Sequence, residues 1–148
     1  MTKEQIEQIE EGDRLIAAFM GGKLIPTGNI SHVNIYYWQF PNGAVCPEYK
    51  TAYHTSWDWL MPVVEKIESM YNYEKDKPFF TVDVFEIKWT RRYPDRECRV
   101  FISICTNSDG FNSTWHYIRT QSKSKIEAVW LAVVDFIKWF NQTQTSLL

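Results

Sequence analysis

The segment IEAVWLAVVDFIKWFNQ, residues 126–142, constrains the fold more than any other stretch of the chain. Ile126, Val129, Trp130, Val133, Ile137 and Phe140 line one side of a helix, and only Glu127, Asp135 and Lys138 interrupt an otherwise apolar circumference. Such a helix needs cover on two flanks, and a single sheet face supplies one. The expectation is therefore a sheet on one side and the first or second helix, or a second subunit, on the other. Ser124 and Glu127 form a capping box at its start.

The sheet itself is legible upstream. Phe79 to Thr90 and Arg96 to Thr106 are β-rich runs joined by a short polar segment, and Phe111 to Thr120 follows the turn Asn107-Ser108-Asp109-Gly110. Three sequential antiparallel strands make a meander. In the second run Cys98, Val100, Ile102 and Ile104 alternate with Arg99, Phe101, Ser103 and Cys105, so one face is core and the other mixed. Between Lys23 and Ala52, Pro26, Gly28, Pro41, Asn42, Gly43 and Pro47 leave room for one strand, Val33 to Phe40, with ordered loop around it.

Two further helices precede the sheet. Thr2 and Gln5 make a capping box, and an apolar stripe through Ile6, Ile9, Ile16 and Met20 ends at Gly21 and Gly22, which can take the positive φ that stops a helix. Gly12 interrupts the stripe, which suggests two pieces with Asp13 capping the second. In Tyr53 to Ile67, YHTSWDWLMPVVEKI, Asp58 is the expected N-cap, because a start at Ser56 would carry Pro62 deeper and cost a ladder bond. Trp57 then lies before the cap as a staple residue. The fold class is α+β: a layered sandwich of an antiparallel three- or four-stranded sheet with about three helices. Residues 1–148 read as a single domain, with 142–148 a frayed tail.

Composition narrows the function classes. Aromatic residues make up 16% of the chain, which points to a core of flat side chains or to an aromatic contact surface. A formal net charge of −2 argues against gripping duplex nucleic acid by bulk electrostatics. Cys46, Cys98 and Cys105 contain no C-x-x-C pair and read as free thiols, and the acidic start MTKEQIEQIEEGD has no leader-like apolar stretch. No run approaches a membrane span. The expected setting is the cytoplasm, with no membrane partner and no cofactor. His32, His54, His116 and the cysteines share no structural-zinc spacing, so no metal site is expected.

Two constellations could carry function. Lys88, Trp89, Arg91, Arg92, Tyr93, Arg96 and Arg99 bring cations and aromatics to one hairpin, a combination that holds phosphates and stacks bases of a nucleic acid or nucleotide. A solvated sheet edge kept from aggregating by its charges explains the same residues. His54 and Asp58, flanked by Thr55 and Ser56, contain the parts of a hydrolytic nucleophile and base, although helix capping accounts for all but the histidine.

The segments YHTSWDWLMPVVEKIE (Tyr53 to Glu68) and SKIEAVWLAVVDFIKWFN (Ser124 to Asn141), with LIAAFMGGKLI near the start, resemble the phage ABA sandwich domain, a family of small phage and prophage proteins. The resemblance implies a phage or prophage origin in a bacterial host and a helix, sheet, helix layering. It carries no activity or catalytic residue. The leading expectation is thus a non-enzymatic accessory protein that acts by binding, as a homo-oligomer. A nucleic-acid or nucleotide binder using the hairpin 88–99 is the alternative, and a hydrolase at His54 and Asp58 the second alternative.

Overall fold

The computed structural model describes residues 1–30, 33–70, 81–89, 97–108 and 113–146. The architecture is α+β, with helices α1 (Lys3–Phe19), α2 (Trp57–Ser69) and α3 (Lys125–Ser146). Strands β4 (Thr81–Trp89), β5 (Cys98–Ser108) and β6 (Ser113–Ser122) form an antiparallel meander in the order β4-β5-β6. These are the three expected strands; β5 begins after Glu97 and runs to Ser108, and β6 runs to Ser122, two residues past the expected ends, while the other expected ends at Phe79, Thr90 and Phe111 lie outside the described residues. Residues 71–80 and most of the hairpin loop lie outside the described residues.

A second antiparallel sheet, β1 (Lys23–Ile30), β2 (Val33–Gln39) and β3 (Val45–Pro47), occupies the region expected to hold one strand and ordered loop. The residues that read as loop punctuation belong to its edges. Pro26 sits in edge strand β1 beside a register shift between Pro26 and Asn29, and Pro47 closes the short edge strand β3. Proline is tolerated there because an edge N–H need not join a ladder. Pro41, Asn42 and Gly43 make the β2–β3 turn: Gly43, at φ 85°, donates to the Phe40 carbonyl at 2.9 Å.

The two flanks of α3 are covered from within the chain. Val100, Ile102 and Ile104 of β5 and Ile118 of β6 meet it on one side. Ile16 and Ala17 of α1 and Leu60, Val63, Val64 and Ile67 of α2 belong to the same buried cluster, and both helices pack on α3. The central turns of α3 are therefore enclosed nearly all round: Ala128, Val129, Trp130, Ala132, Val133, Val134, Phe136 and Ile137 are buried. The layering follows from the sequence pattern, and α1 and α2 take the place for which a second subunit was the other option. Phe19 at the end of α1 meets Phe136 and Phe140 edge-on, with centroids 6.3 and 5.9 Å apart.

Helix ends follow local chemistry, with instructive departures. Thr2 and Gln5 close their capping box in both directions. At the other end of α1 the N–H groups of Gly21 and Gly22 donate to the carbonyls of Ala18 and Ala17, a Schellman closure with Gly21 at φ 83°. For α3, Ser124 Oγ accepts from the Glu127 N–H at 3.4 Å, but the Glu127 carboxylate is reached by the Ser122 hydroxyl, which also accepts from the Ser124 N–H. The box is closed through a third residue. Helix α3 also continues to Ser146, through most of the tail expected to fray, and Thr143 Oγ1 donates to the Trp139 carbonyl there.

Helix α2 begins earlier than expected. Ser56 is its N-cap, Asp58 lies in its first turn, and Pro62 falls inside. The missing ladder bond would run from residue 62 to the carbonyl of Asp58, and both residues are exposed, so water can satisfy that carbonyl at little cost. Trp57 is the first helical residue, and the packing expected of it is made by Tyr53, whose buried ring meets Trp59 edge-on at 5.1 Å.

Candidate functional site

The most unusual interior residue is Asp13, a carboxylate only 4% exposed on the buried stripe of α1. Helix α1 is continuous through it, so Asp13 caps nothing; its oxygens face outward from the helix to two other elements. Trp130 Nε1 of α3 donates to Oδ1 at 2.9 Å, and His54 Nδ1, in the turn before α2, lies 2.8 Å from Oδ2. One side chain thereby joins α1, α3 and the 53–55 turn.

Gly12 makes this possible. A Cβ at position 12 would lie 2.2 Å from Cζ2 of Trp130, so any larger residue would push the indole off α1 and its N–H away from Asp13. The mid-helix glycine is a packing requirement and not a helix break. The turn that presents His54 is held by the Thr55 and Ser56 N–H groups donating to the Ala52 carbonyl at 3.2 and 2.9 Å.

The electrostatics are consistent with this geometry. Burial pushes the Asp13 carboxyl above its ordinary value of 3.8, and the hydrogen bonds from His54 and Trp130 oppose that rise. Tyr53 is also pushed well up, first by burial and then by the nearby charges of Asp13 and Cys46. A carboxylate can only accept, so the Nδ1 of a neutral His54 carries the proton and Nε2 carries the lone pair. The His54 side chain is 30% exposed.

Two clefts meet at that imidazole. The first, about 480 Å³, lies between α1, the 53–55 turn and the start of α3; Gln8, Ile9, Thr55, Ser124, Trp130 and Leu131 are among its walls. The second, about 640 Å³, lies between α1, β2 and the short 3-10 turn Glu48–Lys50, with Glu10, Asp13, Tyr36, Glu48 and Tyr49 around it. An ion pair between Arg14 and Glu48 ties α1 to that turn. His54 lines both clefts.

The expected site residues separate. His54 is partnered by Asp13 and not by Asp58, which is exposed in the first turn of α2, and among the described residues neither Thr55 nor Ser56 hydrogen-bonds to the ring. Of the hairpin residues, Lys88 and Trp89 end β4 and Arg99 is exposed in β5, where Lys88 is paired with Arg99 and Trp89 with Cys98. Arg91, Arg92, Tyr93 and Arg96 lie outside the described residues, as does His32. His116 stacks on Trp139 with centroids 5.3 Å apart. Among the described residues no three His, Cys, Asp or Glu side chains converge as metal ligands, and no helix is long and apolar enough to cross a membrane.

Asp13 is visible in the sequence only as an anomaly. It falls at the spacing of Ile9 and Ile16, where the stripe calls for an apolar side chain, and it follows a glycine. Its partners lie 41 and 117 residues away and have no local signal. The chain matches no protein-family model, no curated protein and no solved structure.

Proposed function

We propose that this chain is a binding module whose ligand site is formed by the two clefts that share His54, and that it performs no covalent chemistry of its own. The supporting observation is the Asp13-held imidazole: a ring fixed at Nδ1 by a buried carboxylate and partly open to two concave surfaces. Its Nε2 lone pair suits a hydroxyl or N–H donor, and Ile9, Trp130 and Leu131 suit an apolar body beside it. The ligand class is accordingly a small amphiphilic molecule with a hydrogen-bond donor. Binding is favoured over hydrolysis because the serine and threonine next to His54 do not bond to the ring.

The setting of a phage or prophage accessory protein in a bacterial cytoplasm is supported by the resemblance of the helical segments alone. Self-association has less support, since α1 and α2 cover the flank of α3 that would have needed a partner.

Titration of the protein with phenol and with benzamide, followed by the Trp130 indole N–H and the His54 ring resonances, tests the site. The expected result is saturable shifts at both residues that disappear in His54→Ala. Shifts confined to other residues would reject the cleft as the site. Turnover of p-nitrophenyl acetate that His54→Ala abolishes would replace the binding module with an enzyme.

A further inference from the structure

The two clefts that share His54 differ in charge. The smaller has one ionised side chain on its walls, Glu127, which the Ser122 hydroxyl already reaches. The larger carries Glu10, Asp13 and Glu48 against one side-chain cation, Arg14. Met1, 88% exposed, lines both and does not set them apart. Within the larger cleft Arg14 pairs with Glu48, and Asp13 is held by His54 and Trp130. Glu10 is exposed on α1 one turn before Arg14, the spacing at which a guanidinium ordinarily reaches a carboxylate. Arg14 turns to Glu48 instead, and among the described residues Glu10 has no hydrogen bond or ion pair.

Position 10 is also next to the imidazole. Residues three apart on a helix are surface neighbours, so Glu10 adjoins Asp13, whose Oδ2 lies 2.8 Å from His54 Nδ1. The Glu10 carboxylate can only accept, and so can Nε2 of the neutral ring. The Thr51 hydroxyl, on the same walls, gives its proton to the Glu48 carbonyl at 3.1 Å and is left to accept as well. A group that satisfies such walls must donate several hydrogen bonds and carry positive charge, and an ammonium does both with three N–H donors. Ile6 and Ile9 add apolar surface, and Tyr36 of β2, half-buried, adds an aromatic ring of the kind that attracts ammonium groups. Lys50 Nζ already lies 5.9 Å from the Tyr49 ring centroid, so Tyr36 is the ring left to a ligand.

We infer that the larger cleft binds a primary amine with an apolar body, its ammonium group donating to Glu10 and to His54 Nε2 and its body lying along Ile6 and Ile9. The inference rests on the reading of the His54 clefts as a ligand site and specifies the donor which that reading requires. A carboxylic acid of the same shape would find only Arg14, which already has its counter-ion in Glu48. The net charge of −2 over the whole chain likewise favours the approach of a cation over that of an anion.

Calorimetric titration of the full chain near neutral pH with phenethylamine, phenethyl alcohol and hydrocinnamate tests the inference, with the His54 ring resonances followed in parallel and circular dichroism confirming that each variant is folded. Phenethylamine should bind roughly three- to ten-fold more tightly than the alcohol, hydrocinnamate should bind most weakly, and added salt should narrow the gap. Glu10→Gln should remove most of the preference for the amine and leave the alcohol unchanged. Glu11→Gln, on the same helix but outside both clefts, should alter neither. Equal binding of amine and alcohol, with both lost in His54→Ala, overturns the inference and leaves the cleft standing as a site. Tighter binding of hydrocinnamate, or a preference for the amine that survives Glu10→Gln, overturns it in the same way. Failure of all three to bind, or binding that leaves the His54 resonances unmoved, rejects the cleft itself and the inference with it.

Discussion

Asp13 on α1 and Tyr117 on β6 lie on either side of the α3 layer, and each holds the position that simple patterning would give to the other's chemistry. Asp13 is a carboxylate on a buried stripe; Tyr117 is an aromatic ring on an exposed sheet face. The two departures are built differently. Asp13 is enclosed, with each oxygen matched to a donor from another element, whereas Tyr117 stands on a surface where Arg119 already covers a neighbouring ring. An interior exception must be fully partnered to be tolerated, and a surface exception need only be soluble. Removing the first should therefore be felt strongly in stability, and removing the second only weakly.

The largest separation is expected between Asp13→Ala and Tyr117→Ala. Truncating Asp13 leaves the buried Trp130 N–H and the Nδ1 of His54 without their acceptor, a loss of about 2–3 kcal/mol. Tyr117→Ala should cost less, about 0.2–1 kcal/mol, the worth of a cross-strand contact on an exposed sheet face. Urea unfolding of both variants measures the difference directly. Equal losses would mean that the outer face is as structurally committed as the interior.

Gly12→Ala probes the same interior contact from the backbone side. The added Cβ would fall 2.2 Å from the Trp130 ring, and overpacking of this kind costs about 1–3 kcal/mol, while alanine returns about 1 kcal/mol of helix propensity. The expected net effect, a loss of up to about 2 kcal/mol, should be accompanied by a moved Trp130 indole N–H resonance. A stabilised variant would show that the indole can slide aside without loss.

How much of this is legible in the chain depends on sequence distance. The periodicity of Ile126 to Phe140 demands cover on two flanks, and the alternation of Cys98 to Ile104 identifies the buried side of β5, because both signals are local repeats. The second sheet is obscured because edge strands tolerate the residues that interrupt central ones, as Pro26 does in β1. His54 stands out in the sequence, but there its obvious partner is Asp58, the next carboxylate along the chain. The carboxylate it meets in space is on α1, and only the folding of α1 against α3 and the 53–55 turn brings it there.

The subtlest test exchanges Asp13 for asparagine, which keeps the shape and alters only charge and proton inventory. The amide oxygen can still accept from Trp130, but the amide nitrogen must donate to His54 Nδ1, moving the proton of the neutral ring to Nε2. The cleft-facing nitrogen then changes from acceptor to donor, which nitrogen-correlated NMR of the imidazole reads directly, and the proposed ligand should be lost with little loss of fold. Stability adds a sign. Because burial raises the Asp13 pKa above 3.8, the folded state holds this proton more tightly than the unfolded chain. That contribution is fully present below the ordinary carboxylate pKa and is lost as pH rises through the raised value. The wild type should therefore gain on Asp13→Asn as the solution is acidified from neutrality toward pH about 4. A gain in the opposite direction would show that the hydrogen bonds from His54 and Trp130 outweigh burial, and that Asp13 is held as a stable anion whose charge the cleft uses.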